Sequence, residues 1–406
     1  MSGSMAGPFR TFPGGIEMTM RPTPAHAFAL LGALLCSSTC AFAATPVPAA
    51  KSIDAIVRKA HDAGQFDGIV VLDYGNGSGG YRTAIGDADR ILQQKHRADE
   101  VWRWASITKQ VTAVLAMQEV ERGRLRLDGT LADYLPGFGD AAIARVTLKQ
   151  LLQHTSGLAN PDDTQADEKG VPAFYRDARA STPAKSAPRV CAEKPKRKPG
   201  ERFEYNNCDY LVLGAILERL NNASYAQLVS QRIAKPLGMR TLALAQPGAA
   251  RLPGPVIGYS AEGVRESPID LGRYGAAGAL HGSADDLLRF DRGLMSGKLI
   301  AHTTAATMWQ GDAKLGFVAL GAWSYTATLK HCSAPTALVE RQGEIGGIRA
   351  VNVIAPDTGA ALIAFSNTGA TEWGQVWRGS GFLYDLLDAA LCSPIPAAPA
   401  PKRTKR

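Results

Sequence analysis

Two short boxes constrain this chain more than any other feature: Ser106-Ile107-Thr108-Lys109 and, far downstream, Tyr205-Asn206-Asn207. A fold that uses both must bring distant segments into one site. A serine hydroxyl is a weak nucleophile at neutral pH and needs a base within hydrogen-bonding reach. Residues three apart on a helix share a face, so a helix over 106–122 would set Lys109 beside Ser106. Ile107, Val111, Val114, Leu115 and Val120 keep helical spacing and would bury that helix. Ser106 would then stand at the helix N-terminus, where free N–H groups and the dipole favour developing negative charge. Burial of Lys109 would lower its pKa toward a value useful for a base. The chemistry this predicts is acyl transfer. Ser-x-x-Lys alone is a common spacing, and a serine N-cap followed by a solvent-facing lysine is its ordinary reading.

Context strengthens the chemical reading. Trp104–Lys109, Gly123–Phe138, Val146–Leu158 (VTLKQLLQHTSGL), Pro199–Leu220, Lys235–Leu242 and Ala276–Phe290 follow one another in fixed order. From about Phe66 to Thr368 the chain resembles the serine β-lactamase-like family of class C β-lactamases, D-alanyl-D-alanine carboxypeptidases and related esterases. The resemblance implies a mixed α/β fold, a central antiparallel β-sheet with a helical lobe. It implies that Ser106 is the acylated nucleophile and Lys109 its proton acceptor. Tyr205 would assist proton transfer to the leaving group, and Asn207 would orient Lys109 and the substrate amide. A phenol beside an ammonium group is pulled below its ordinary pKa of about 10, which suits that role.

The third family box, usually Lys-Thr-Gly or His-x-Gly, is altered here. The matching stretch runs Glu340 to Gly347. The register that keeps the glycine puts Arg341 at the Lys/His position and Gly343 at the Gly. A rival register would place Gln342 there. Arg341 keeps a permanent charge whose planar fork suits a substrate carboxylate. The backbone N–H groups of Ser106 and Glu344 would stabilise the oxyanion.

At 406 residues and 45% hydrophobic, the chain is globular in composition. Arg21 precedes an apolar run, Ala27 to Leu35, followed by Ala41-Phe42-Ala43, an A-x-A processing site. That run is too short for a stable membrane span. Residues 1–43 are therefore expected to be an upstream extension and signal peptide, with Met18 or Met20 as its natural start. Residues 44–393 would be the hydrolase domain, and 394–406 a Pro-rich basic tail. The expected location is periplasmic or secreted. Cys36 also merits notice as a lipoprotein site, although the usual small residue before it is missing. Cys191, Cys208, Cys332 and Cys392 remain, an even number that suggests disulfides in three possible pairings. Cys191 and Cys208 bracket one basic loop, and Cys332 and Cys392 flank the late strands and last helix, so pairing within each couple is expected.

No Cys/His set has metal-ligand spacing, and no metal or other cofactor is expected. The formal charge of +8 comes partly from Lys194–Lys198 and the tail. An exported chain rarely meets nucleic acid, so an anionic envelope suits that charge better. The partner expected is a small-molecule or peptidoglycan-like substrate; the oligomeric state is not legible.

The coarse layout begins with a helix, Ile53–Ala63, and a hairpin of Gly68–Asp73 with Tyr81–Ile85. Residues 106 to about 300 read as mostly helical, with loops at 159–200 and 243–275 expected to line the cleft. Strands follow at Leu338–Gln342, Ala350–Ile354 and Ala360–Phe365, then a last helix, Gly374–Leu391. The functional expectation is an exported serine hydrolase acting through a Ser106 acyl-enzyme on an ester, amide or lactam, with a catalytically idle cell-wall or penicillin-binding module on the same fold as the alternative.

Overall fold

Strands that are apolar at nearly every position must be covered on both faces. Gly68–Asp73 (GIVVLD) and Ala360–Ser366 (AALIAFS) are such strands, and both are buried throughout. They lie side by side inside a six-stranded antiparallel sheet in a computed structural model that describes residues 48–75, 79–168, 171–176, 189–248, 252, 254 and 256–392. Its strands are β1 (Gly68–Asp73), β2 (Gly80–Ile85), β3 (Trp323–Ala327), β4 (Thr336–Ile345), β5 (Ile348–Ala355) and β6 (Ala360–Ser366). They are ordered β2-β1-β6-β5-β4-β3. The N-terminal hairpin therefore docks onto the last strand, with Gly68 opposite Ser366.

Alternation along the strands divides the core in two. Ile69, Val71, Ala350, Ile354, Ile363 and Phe365 face the helical lobe. Val70, Leu72, Val351, Val353, Leu362 and Ala364 face the two terminal helices, α1 (Pro48–Asp62) and a last helix, Phe382–Leu391, through Ile53, Val57, Leu383 and Leu387. In the lobe, α2 (Thr108–Glu121) is buried on every side from Thr108 to Glu119. A helix wrapped in this way lies at the centre of its lobe. Beside it run α3 (Asn207–Asn221) and the short helix Gly275–Gly278. Gly214 permits that close approach, since a Cβ there would stand 2.7 Å from the Ala276 methyl.

Three details depart from the expected layout. The serine helix opens with a 3-10 turn, Ala105–Ile107, before α2 begins at Thr108. The expected helical stretch is interrupted by a small sheet in which Leu280–Ser283 pairs with Val101–Arg103 and Ala243–Leu244. The last helix starts only at Phe382, because Gly374, Gly379 and Gly381 all take positive φ and the chain pinches where Gly374 meets Gly381. The middle of the expected first hairpin turn, 76–78, lies outside the described residues, as do the expected signal segment and the basic tail. Among the described residues no helix is long and apolar enough to cross a membrane.

Cys191 is bonded to Cys208 and Cys332 to Cys392, the two expected pairs. They close loops with sequence separations of 17 and 60 residues. Loop entropy then predicts a stabilisation of ~3 kcal/mol for the first and ~4 kcal/mol for the second. Urea denaturation of paired Cys→Ala variants should find the Cys332–Cys392 pair the costlier loss; the reverse order would show that strain, not chain entropy, governs them.

Candidate active site

The turn that carries Ser106 is held from outside. Trp104 donates its backbone N–H to Leu280 O (3.0 Å) and its indole N–H to Gly282 O (3.1 Å). Ala105 takes φ +47°, a left-handed conformation that a non-glycine residue adopts at a cost. The turn lifts the Ser106 hydroxyl above the first residue of α2. One helical turn on, Lys109 is fully buried. Its Nζ donates to Ser106 Oγ (3.1 Å), Asn207 Oδ1 (2.7 Å) and Ala277 O (2.8 Å). These three acceptors match the three protons of an ammonium group. Burial, aided by the Arg341 charge and opposed by Tyr205, brings Lys109 down to about 8.

Tyr205 lies just before α3, whose N-cap is Asn206; its Oδ1 accepts from Cys208 N–H (2.8 Å). The Tyr205 and Ser106 hydroxyls share a hydrogen bond of 2.5 Å. Burial alone would push the Tyr205 phenol up, but the Lys109 and Arg341 cations outweigh it and hold it below its ordinary value. The two boxes thus converge on one hydroxyl.

Arg341 reaches this cluster from β4. Its Nε donates to Ser106 O (3.0 Å) and Nη2 to Tyr205 Oη (3.0 Å), and the guanidinium lies over the Trp323 ring. Gln342 instead donates to Glu340 Oε1 (2.7 Å), as alternation on a strand requires. Arg341 is almost wholly buried, and the edge carrying Nε and Nη2 is spent within the protein, leaving Nη1. Gly343 stands where any Cβ would lie 2.6 Å from Trp104 O and 3.0 Å from Ser106 N. The strand can lie against the serine turn only because that side chain is absent. Pairing of β4 with β3 ends at Glu340, so Glu344 belongs to the stretch beyond that ladder. It forms an ion pair with Arg349.

Asn207 is more committed than its sequence suggests. Lysine can only donate, so Asn207 Oδ1 must face Lys109 and its amide nitrogen the other way. Nδ2 donates to Tyr175 Oη (3.0 Å) and to Asp162 Oδ2 (3.0 Å), which uses both of its protons. A substrate amide has no free Asn207 donor in this arrangement.

His154 and Asp209 were not singled out from the sequence. Glu204 N–H donates to His154 O (2.8 Å) and Asn206 N–H to His154 Nδ1 (3.3 Å), so His154 holds the residues on either side of Tyr205. Its ring packs on the Tyr205 ring at 4.6 Å. Nδ1 also shares a hydrogen bond with Asp209 Oδ2 (2.9 Å). Burial raises Asp209 well above the carboxylate range, while burial and the nearby cations keep His154 well below 6.5 and neutral. Ser156 donates to the other Asp209 oxygen. Asn160 completes the clamp, donating to Tyr205 O (3.1 Å) and accepting from Asn207 N–H (3.3 Å).

Ser106, Tyr205, Asn207, Arg341, Gln342, Gly343 and Glu344 border one cleft of about 560 Å³. Asp162 and Tyr274, from the two loops expected to line it, border it as well. Among the described residues no cluster of three or more His, Cys, Asp or Glu is placed to hold a metal ion.

His154 has φ +55°, which asparagine tolerates well, and the amide oxygen of an asparagine there could accept what Nδ1 accepts. His154→Asn should therefore retain most turnover while His154→Ala loses roughly a hundredfold in kcat, a Tyr205 misplacement of the kind that positioning losses produce. Equal loss in both variants would show that the imidazole itself takes part in proton transfer.

The beta-lactamase family model matches residues 53–378. Esterase EstB of Burkholderia gladioli is 30% identical over 61% of this chain and 71% of its own length. Penicillin-binding protein 4 of Amycolatopsis lactamdurans is 37% identical over 35% of each chain, so this sequence spans about a third of that relative. The D-amino acid amidase of Ochrobactrum anthropi SV3, solved with D-phenylalanine, superposes with a TM-score of 0.70 at 21% identity, covering 84% of this chain and 98% of that one. A penicillin-binding protein from Bacillus halodurans superposes at 0.64 and 21% identity, covering 83% and 97%. At that identity the superpositions speak for the fold. A family match that runs from the first helix past the last strand makes the chain a member of the beta-lactamase family, a serine hydrolase on the β-lactamase and penicillin-binding-protein fold.

Proposed function

We propose that the protein is an exported hydrolase that cleaves a small ester or amide through an acyl-enzyme on Ser106. The observation that carries this is the sharing of one serine hydroxyl by a fully buried lysine and a tyrosine held below its ordinary pKa. Ser106 Oγ adds to the substrate carbonyl carbon as its proton passes to the Tyr205–Lys109 pair. The oxyanion meets the N–H groups of Ser106 and Glu344. Collapse expels the leaving group, which takes that proton through Tyr205. Water then adds to the acyl carbon and gives its proton to the same pair, which returns it to Ser106 Oγ as the acyl–oxygen bond breaks and the acid leaves.

Arg341 serves Tyr205 in this reading. Its charge favours the phenolate and disfavours the lysine cation, so the altered third box supports acylation rather than undoing it. That observation counts against an idle binding module. Export rests on the apolar run and A-x-A site at the N-terminus, and two disulfides suit an oxidising compartment. The esterase relative favours an ester, and the amidase that shares the fold makes an amide the next choice.

A fluorophosphonate probe should label Ser106 stoichiometrically by intact mass, and Ser106→Ala should remove labelling and about a millionfold of turnover. Saturable binding without labelling would mark an idle module instead. Turnover should also rise with pH through about 8, because the Tyr205–Lys109 pair must lose a proton to act as base. Replacing Arg341 with Gln removes a positive charge that lowers both groups. The limb of the kcat/KM profile should then move to higher pH; an unmoved or lowered limb would contradict this role.

A further inference from the structure

The Asn207 amide, expected to orient Lys109 and the substrate amide, meets Lys109 through its oxygen but turns its nitrogen to Asp162. Both of its protons are used, one on Tyr175 Oη and one on the Asp162 carboxylate, which Tyr175 also bonds (2.7 Å). A carboxylate offers about four lone-pair positions, and these contacts fill at most three. Asp162 is exposed and borders the cleft with Ser106.

The charges around it are otherwise paired. Next to it, Asp163 is taken by Lys196, which also bonds Glu204 together with Arg197. Across the cleft, Glu344 is taken by Arg349. Glu340 accepts from Tyr325 and Gln342, and burial raises it. Asp162 forms no ion pair with a lysine, arginine or histidine among the described residues. One asparagine amide separates it from Lys109, and the carboxylate lines the same cleft as the Ser106 hydroxyl that Lys109 bonds.

We propose that Asp162 is the specificity-determining residue of this cleft and selects acyl groups that carry a protonated amine next to the scissile carbonyl. The proposal rests on the acyl-enzyme reading above. A donor-bearing site would select a carbonyl on the acyl group. Here Asp162 has turned that position into an acceptor, so the substrate must bring the proton. An ammonium group does this best, since a charge-assisted hydrogen bond is about twice as strong as a neutral one. Tyr175 and Asn207 hold the carboxylate in place beforehand, so little ordering is lost when the amine binds.

Diphenyl phosphonate esters bearing a phenethyl group test this, with the α-amino group free, acetylated or absent. In each, Ser106 Oγ forms a bond to phosphorus as one phenoxide leaves and takes up the serine proton. Labelling rates are read by intact mass near neutral pH. The native protein should label about tenfold faster with the free-amine probe than with the other two, the worth of one charge-assisted hydrogen bond. Asp162→Asn keeps an acceptor for Tyr175 and should bring the three rates together. A native protein that labels equally fast, or faster, with the acetylated or amine-free probe overturns the proposal whatever the variant does. So does an Asp162→Asn protein that keeps the preference. If none of the probes labels Ser106, the acyl-enzyme reading fails and this inference falls with it; labelling by all three without preference removes the inference alone.

Discussion

The buried Lys109 ammonium is the interaction on which the rest of the site depends. A charge with no access to water persists only if protein groups replace its hydration. Three segments do so here: the serine turn through Ser106 Oγ, α3 through Asn207 Oδ1, and the helix Gly275–Gly278 through Ala277 O. Each acceptor needs its element at a set distance, which explains why Gly214 is bare where α3 meets Ala276. The lysine thus orders the lobe while the lobe lowers its pKa. Stability and reactivity are coupled in one side chain.

The sheet contributes a second cation under similar rules. Arg341 comes from β4 and reaches both Ser106 O and Tyr205 Oη. Two cations near one phenol would be costly if a buried carboxylate were not available to balance them, and Asp209 lies close by. Burial raises its pKa and it is bonded to a neutral His154, so it is a poor counterion for them. The clamp supplies geometry. Charge balance is left to Tyr205 itself, and this is the group that must exchange a proton.

Much of this was legible in the sequence, for physical reasons. Strands buried on both faces read as apolar runs, so β1, β5 and β6 are found within two residues of their expected ends. Ser106 and Lys109 show through their spacing, because a nucleophile and its base must share one face of a helix, whereas Tyr205 and Asn207 show only through the family resemblance. The third box was readable through Gly343, whose bareness is imposed by the backbone of Trp104 and Ser106. Ala277 was not readable, since it contributes a carbonyl that any residue could supply. His154 and Asp209 stayed hidden for another reason: their part is to hold the backbone around Tyr205, through contacts such as Asn206 N–H to His154 Nδ1 that no spacing announces. The break at Gly374–Gly381 was missed because glycine permits positive φ without requiring it.

Asp162 shows how one residue can alter a site whose reacting groups are unchanged. Ser106, Lys109 and Tyr205 meet through bonds that do not involve it. Yet by engaging both N–H protons of Asn207, together with Tyr175, it reverses the polarity that the cleft presents beside the nucleophile. The same Asn207 amide links the two ends, with Lys109 on its oxygen and Asp162 on its nitrogen. An amide polarised from both sides strengthens each hydrogen bond, as chains of such bonds do in a low-dielectric interior. Asp162 also favours the protonated form of Lys109, against the burial and the Arg341 charge that lower it. An ammonium group bound at Asp162 would cancel that effect and push Lys109 further toward its neutral, basic form. The substrate that the carboxylate selects would then also ready the base that attacks it.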